Sequence, residues 1–278
     1  AIIATSAMVG FYNNETELMT IALELLSISQ MPILTAIPLF TFAGYLLSES
    51  DAPKRLVRLT SAMFGWMPGG LALVCLAACA FFTAFTGASG VTIIALGAIL
   101  YPALKQDGYD DKFNLGLVTS SGSLGLLFAP SLPLILYGVV AEVSIDDLFR
   151  AGILPGMVML VMLSGYAIWV NRHNRKPIST FSLREVGAAL REAVWELPLP
   201  IVVLGGIYSG FFAVSEAAAI TAMYVFIVEV LINREIPLRE LPRVVRESMM
   251  LVGGILMILG VSLASTYYMI DTEVPQKL

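Results

Sequence analysis

The chain has 278 residues, 58% of them hydrophobic and 13% charged, with a mean hydropathy of +0.84 and a formal net charge of -5. Soluble domains carry about 25% charged residues, so this composition excludes one and places the chain in a bilayer, where roughly 20 apolar residues make one helical crossing. The negative balance argues against a nucleic-acid partner.

Ala1 already lies inside an apolar run with no basic n-region before it, which predicts a start part-way through a helix. Across 14–30, Leu18, Ile21, Leu25 and Ile28 recur at helical spacing with Glu15, Glu17 and Glu24 between them. That is the pattern of an amphipathic helix lying along the interface. Residues 31–48 predict a first span ending at Glu49, Asp51 and Pro53. Lys54, Arg55 and Arg58 follow, and the positive-inside bias puts this end in the cytoplasm.

From 71 to 104 there is no Asp, Glu, Lys, Arg or His, yet Thr86-Gly87-Ala88-Ser89-Gly90 interrupts the stretch. Each arm, 71–85 and 91–104, has about 15 residues, or roughly 22 Å of helix, short of a bilayer core. A re-entrant hairpin that enters and leaves on one side is expected; two ordinary spans joined by a tight turn are the alternative. Cys75 and Cys79 read as reduced packing residues on this arm, with no third ligand near them.

A second uncharged stretch, 113–141, is interrupted at Ser120-Ser121-Gly122-Ser123 and at Ala129-Pro130-Ser131-Leu132-Pro133. Prolines lack the backbone donor and clash with the preceding turn, so a discontinuous helix is predicted. Glu142, Asp146 and Asp147 read as external, and 151–170 returns to Arg172, Arg175 and Lys176, where His173 reads as a solvated loop histidine. Residues 181–195 form a second amphipathic segment, with Leu183, Val186, Leu190 and Val194 on one face. Residues 198–212 and 216–232 make a short helical pair, followed by a basic linker with Arg234, Arg239, Arg243 and Arg246. A span over 249–270 then exits toward Asp271 and Glu273, and Trp66, Trp169 and Trp195 fall where interfacial anchors belong.

The segments ending at Pro53 and Pro275 each follow an amphipathic helix and one span, close in acids plus proline, and fall on opposite sides by charge bias. This reads as an inverted repeat, the architecture of secondary transporters with a site between broken helices. A second hairpin is then expected after Leu278, with the chain cut at both ends. The fold class is all-α: a polytopic membrane protein with inverted repeats, a re-entrant hairpin and a discontinuous helix.

A broken helix exposes carbonyls at one end and N–H groups at the next. Carbonyls of Phe85, Thr86, Gly125 and Leu127 with the hydroxyls of Thr86, Ser89 and Ser123 suit a hard cation. The helix N-termini after Gly90 and Ser131 suit a carboxylate, with Ser123 counted among its contacts. Neither uncharged stretch supplies a titratable group, so sodium held by neutral oxygens fits better than a proton, unless a carboxylate comes from outside these residues. Close packing through small residues is the alternative account of the Gly and Ser clusters. Asn14-Glu15-Thr16 matches a glycosylation sequon of low specificity. Met157, Met159 and Met162, like Met249, Met250 and Met257, read as packing residues, and Glu216 as a helix N-terminal acid. No nucleophile and base pair, metal spacing or phosphate loop points to an enzyme.

Several runs, in order along the chain, resemble one family. They are Ile37-Pro38-Leu39-Phe40, Phe85-Thr86-Gly87-Ala88-Ser89-Gly90, Gly122-Ser123-Leu124-Gly125, Pro130-Ser131, Ala151-Gly152-Ile153-Leu154-Pro155-Gly156 and Ser215-Glu216-Ala217-Ala218-Ala219. The chain resembles the large membrane subunit (DctM-like) of tripartite ATP-independent periplasmic (TRAP) transporters. The resemblance implies an elevator-type importer of the bacterial inner membrane, with sodium as coupling ion. It also implies a small membrane subunit and a periplasmic binding protein as partners, the latter delivering an organic acid such as a dicarboxylate, sialic acid or sugar acid. Residues 1–70 and 151–278 would then be scaffold, and 71–150 the moving hairpin and discontinuous helix. The first sodium site would lie between the tip at Ser89 and the break from Gly125 to Pro130. The chain departs from the family's paired prolines at Ala129-Pro130-Ser131 and from its more serine-rich tip. A self-sufficient ion-coupled anion carrier and a non-transporting membrane scaffold are the other readings.

Overall fold

The computed structural model describes residues 31–67, 69–87, 89–141, 143–172 and 182–271, together with 5, 9 and 26. The expected interfacial helix at 14–30, the sequon, Glu142, His173 and the close of the second repeat beyond Asp271 lie outside the described residues. Within them every regular element is helical.

A 3-10 turn at Pro32–Thr35 leads into α1 (Ala36–Glu49). The chain then bends by 75° into α2 (Ala52–Phe64), whose Pro53 sits in the first turn, where a missing N–H costs nothing. The sequence reading ended a span here and took Lys54, Arg55 and Arg58 as cytoplasmic charges following it, without assigning them to a helix. They instead lie on this amphipathic helix, and α8 (Leu183–Glu192) packs against it through Ala189 and Ala193 on Leu59 and Ala62. Leu183, Leu190 and Val194 stay exposed, the apolar face that an interfacial helix turns to lipid.

The hairpin is α3 (Gly70–Thr86) and α4 (Ser89–Gln106). Both arms outrun the expected length. At 17 and 18 residues they measure about 26 and 27 Å. Because α4 continues through Pro102, it is by itself long and apolar enough to cross a bilayer. Helix α3 is apolar all round and buried on most of its circumference, with Ala77, Phe81 and Ala84 half-buried. Val74, Cys75, Leu76, Cys79 and Phe82 are inaccessible, enclosed by α1, α2, α4, α5 (Asp111–Leu124) and α7 (Ile145–Val170).

Helix α5 runs unbroken through Ser120–Ser123, contrary to the interruption expected there. Ser121 and Ser123 donate their hydroxyls to the carbonyls of Val118 and Thr119, so the helix absorbs them without unwinding. It tightens to a 3-10 turn at Gly125–Leu127, breaks at Phe128 to Ser131 with a cis Ala129-Pro130 bond, and restarts 47° away as α6 (Leu132–Ala141). The second proline-containing break is therefore observed where expected.

Helix α7 begins earlier than predicted because Ser144 caps it, accepting from the Asp147 N–H. The pair α9 (Pro198–Tyr208) and α10 (Val214–Phe226) follows, with a π-helical continuation at Ile227–Ile232. Glu216 accepts from the Ala213 N–H, the N-terminal role read for it. Helix α11 (Leu241–Asp271) takes in Arg243 and Arg246, which the sequence reading had assigned to a linker. The methionines at 157, 159, 162, 249, 250 and 257 are exposed rather than packed inside, since α7 and α11 turn one long apolar side outward. Trp66, Trp169 and Trp195 are also exposed.

Lipid is as apolar as leucine, so close backbone approach, more than apolar burial, holds such helices together. The glycines show it. A β-carbon on Gly44 of α1 would stand 2.5 Å from Thr86 Cα, and one on Gly152 of α7 would stand 2.3 Å from the Leu127 carbonyl oxygen.

Candidate functional site

Helix α3 ends because Gly87 adopts φ 63° and donates its N–H to the Thr83 carbonyl at 2.8 Å, a left-handed cap that favours glycine. A β-carbon on Gly87 would stand 3.0 Å from Leu132 Cγ and 3.4 Å from its backbone nitrogen. The hairpin tip therefore rests on the first residue of α6, so the two breaks in the chain meet. On the other side of the break, a β-carbon on Gly125 would fall 2.3 Å from Thr83 Cβ and 2.6 Å from the Ala80 carbonyl oxygen. One turn of α3, Ala80 to Thr83, is thus wedged against the end of α5.

Buried hydroxyls gather at this junction. Thr83 has Thr92 Oγ1 at 2.8 Å and the Gly122 carbonyl oxygen at 3.0 Å as acceptors of its single proton, and Thr86 Oγ1 lies 3.1 Å from Thr92 Oγ1. All three threonines are buried. A hydroxyl brings one proton and two lone pairs, and a carbonyl only lone pairs. The junction is consequently rich in acceptors, within two sequence stretches that hold no charged residue. Ser131 is inaccessible, and its hydroxyl has no hydrogen-bond partner among the described residues. Its carbonyl accepts the first helical bond of α6 from Ile135, so this hydroxyl sits at the helix N-terminus.

The residues singled out from sequence are distributed as follows. Thr86, Gly125 and Ser131 converge on the junction, and Pro130 is buried beside them. Phe85 contributes backbone in the last turn of α3, and Ser89 opens α4, with its carbonyl facing Gly122. Leu127 turns its carbonyl toward Gly152 of α7, and the Thr86 carbonyl faces Gly44 of α1. Ser123 lies on the exposed face of α5, donating to Thr119. Gly90 opens onto a cleft of about 450 Å³, lined also by Ile94, by Tyr45 and Glu49 of α1 and by Glu247 of α11. Arg243 spans the acids of this cleft, 2.6 Å from Glu49 and 3.5 Å from Glu247. Sequence reasoning missed Thr83 and Thr92; the one signal was polar side chains within an otherwise apolar arm.

An all-helical, multi-pass membrane protein in which a hairpin tip meets a broken helix is the class that fold and site define. The family profile described as "Tripartite ATP-independent periplasmic transporter, DctM component" matches residues 1–278, and the chain belongs to this family. It is 34% identical over 275 residues to the C4-dicarboxylate TRAP transporter large permease protein DctM of Rhodobacter capsulatus, covering 93% of this chain and 62% of that protein. It is 33% identical over 246 residues to the ectoine/5-hydroxyectoine TRAP transporter large permease protein UehC of Ruegeria pomeroyi, covering 88% and 58%. It is 36% identical over 212 residues to the isethionate TRAP transporter permease protein DctMQ of Oleidesulfovibrio alaskensis, covering 76% and 33%. The chain thus spans about six tenths of the length of the first two relatives.

Proposed function

We propose that the chain is the membrane-transport part of a TRAP large permease that takes up a small organic acid, driven by sodium, in the bacterial inner membrane. The observation that carries this reading is the meeting of the two breaks, Gly87 against Leu132, with buried Thr83, Thr86, Thr92 and Ser131 around it. A chain kept in a bilayer without regular helix at two places, and with those places in contact, has backbone dipoles available to ligands. The lone pairs of the threonine cluster suit sodium, and the α6 N-terminus with Ser131 suits an anionic group. The substrates for which these relatives are named, a C4-dicarboxylate, ectoine and isethionate, favour small charged or zwitterionic molecules over one fixed acid. Family membership favours delivery by a periplasmic binding protein and assembly with a small membrane subunit.

The test is uptake by the complete permease with its small subunit in proteoliposomes, with sodium and proton gradients imposed separately and a binding protein present or omitted. Uptake that follows the sodium gradient and needs the binding protein is expected. Uptake indifferent to sodium overturns the coupling, and uptake without the binding protein supports a self-sufficient carrier.

A further inference from the structure

A second concentration of polar groups lies on other elements, where α2 meets the turn before α9 and the end of α10. Arg55 is its hub. Its Nε donates to Glu196 Oε1 at 2.6 Å, its Nη1 pairs with Glu235, and its Nη2 lies 3.4 Å from both oxygens of Glu229. Glu235 is well engaged, because its other oxygen accepts from the Asp51 N–H at 2.7 Å. Glu229 adds one further contact, the Asn233 amide at 3.3 Å. Glu196 Oε2 is buried with no hydrogen-bond partner among the described residues. The Glu196 and Glu229 side chains are 4% and 1% exposed.

Three carboxylates against one guanidinium leave two negative charges in excess. Ionised carboxylates cut off from water and incompletely paired are costly, and neutralising one acid removes much of that cost. Among the described residues, the neighbouring elements supply no second cation to these acids. Arg58 is taken by Glu185 and Glu192 of α8, Lys54 by Asp51, Lys105 of α4 by Asp111, and Arg243 of α11 by Glu49 of α1. Helix α3 carries no charge, the Arg234 side chain is exposed, and the Tyr224 hydroxyl donates to the Trp195 carbonyl at 2.8 Å. Among the described residues no three acidic, histidine or cysteine side chains converge to hold a metal ion. Glu229 also sits on the π-helical turn, a backbone form concentrated at functional sites.

We propose that Glu196 and Glu229, which share the Arg55 guanidinium, form a proton-binding site: one of the two carboxyls keeps its proton at neutral pH, and that proton keeps α2 joined to the end of α10. Burial pushes the Glu196 carboxyl up from its ordinary range, against the opposing pull of Arg55. An acid raised in the folded state contributes stability below its unfolded pKa, and that contribution is lost as pH rises through the raised value. Asp51, which a hydrogen bond from Lys54 holds below the usual range, has the opposite sign and loses its contribution in acid.

The test uses the purified full-length protein in lipid nanodiscs, with melting followed from about pH 5 to about pH 8 for the wild type, Glu196→Gln and Glu229→Gln. The wild type is expected to melt lower as pH rises. Each substitution should cut that slope by about half or more, since glutamine is neutral throughout. Infrared spectroscopy at neutral pH should show the carbonyl stretch of a buried protonated carboxyl, lost in at least one variant. An unchanged slope in both variants overturns the proposal. Should a variant not fold, the wild-type infrared titration decides: a protonated-carboxyl band at neutral pH supports the site, and its absence overturns it. Sodium-driven uptake is read by neither measurement, so failure here leaves the transport reading to its own experiment.

Discussion

At Gly125 and Thr83 the contacts are tight enough for single atoms to matter. Gly125 has ordinary helical torsions, with φ -63°, so strain is no obstacle to a side chain; space is. Gly125→Ala would drive a methyl group into Thr83 Cβ and the Ala80 carbonyl and separate α3 from the break. A loss of about 2 kcal/mol is expected, read as a lower melting temperature of the purified protein. Thr83→Val keeps the shape but leaves the Gly122 carbonyl and Thr92 without their shared donor, at a cost of about 1–3 kcal/mol. Thr83→Ser should cost less, and equal losses in the two variants would show that packing, not the hydroxyl, is what the position needs. The breaks at Gly87 and Pro130 were legible in sequence because helix breakers cluster there inside long uncharged runs, although Pro102 and Gly122 in the same runs lie within unbroken helix. Thr83 and Thr92 were not. A threonine in an apolar helix usually bonds its own preceding turn, as Thr41 does to the Ile37 carbonyl, and nothing in the sequence marks the ones that bond across helices.

Between elements, the arrangement depends on ties that local pattern does not reveal. Arg55 was legible only as a basic residue after a span, yet its acid partners lie 141, 174 and 180 residues away. Periodicity cannot pair groups so distant. Arg55→Leu would strand Glu196 and Glu229 without their guanidinium. It should cost about 3 kcal/mol or more, far above the effect of Arg58→Ala in the exposed pairs with α8, and comparative thermal unfolding of the two variants checks it. Equal, small losses would mean that α2 is held by its apolar face alone. The break after α5 was legible through Pro130 and Pro133. The continuity of α5 through Ser120–Ser123 was not, since serines bonded back to their own helix look in sequence like serines that end one. Arm length was underestimated because the arm was bounded by the uncharged stretch, 91–104, whereas α4 starts at Ser89 and runs on through Lys105 to Gln106.

For the whole molecule, the family, the all-helical fold and the multi-pass character were each readable from composition and ordered motifs. The packing that brings the hairpin tip onto α6 was readable only as an expectation, because it depends on glycines whose partners are distant in sequence. The central claim is that this junction binds the coupling ion. The most direct measurement is the sodium concentration that half-saturates uptake by the complete transporter, compared between wild type, Thr86→Ala and Ser131→Ala. The account predicts that Thr86→Ala raises it by roughly tenfold, equivalent to about 1.4 kcal/mol of lost binding, while Ser131→Ala acts mainly on the substrate concentration required. A half-saturating sodium concentration unchanged in Thr86→Ala, with substrate dependence also unchanged in Ser131→Ala, would contradict it.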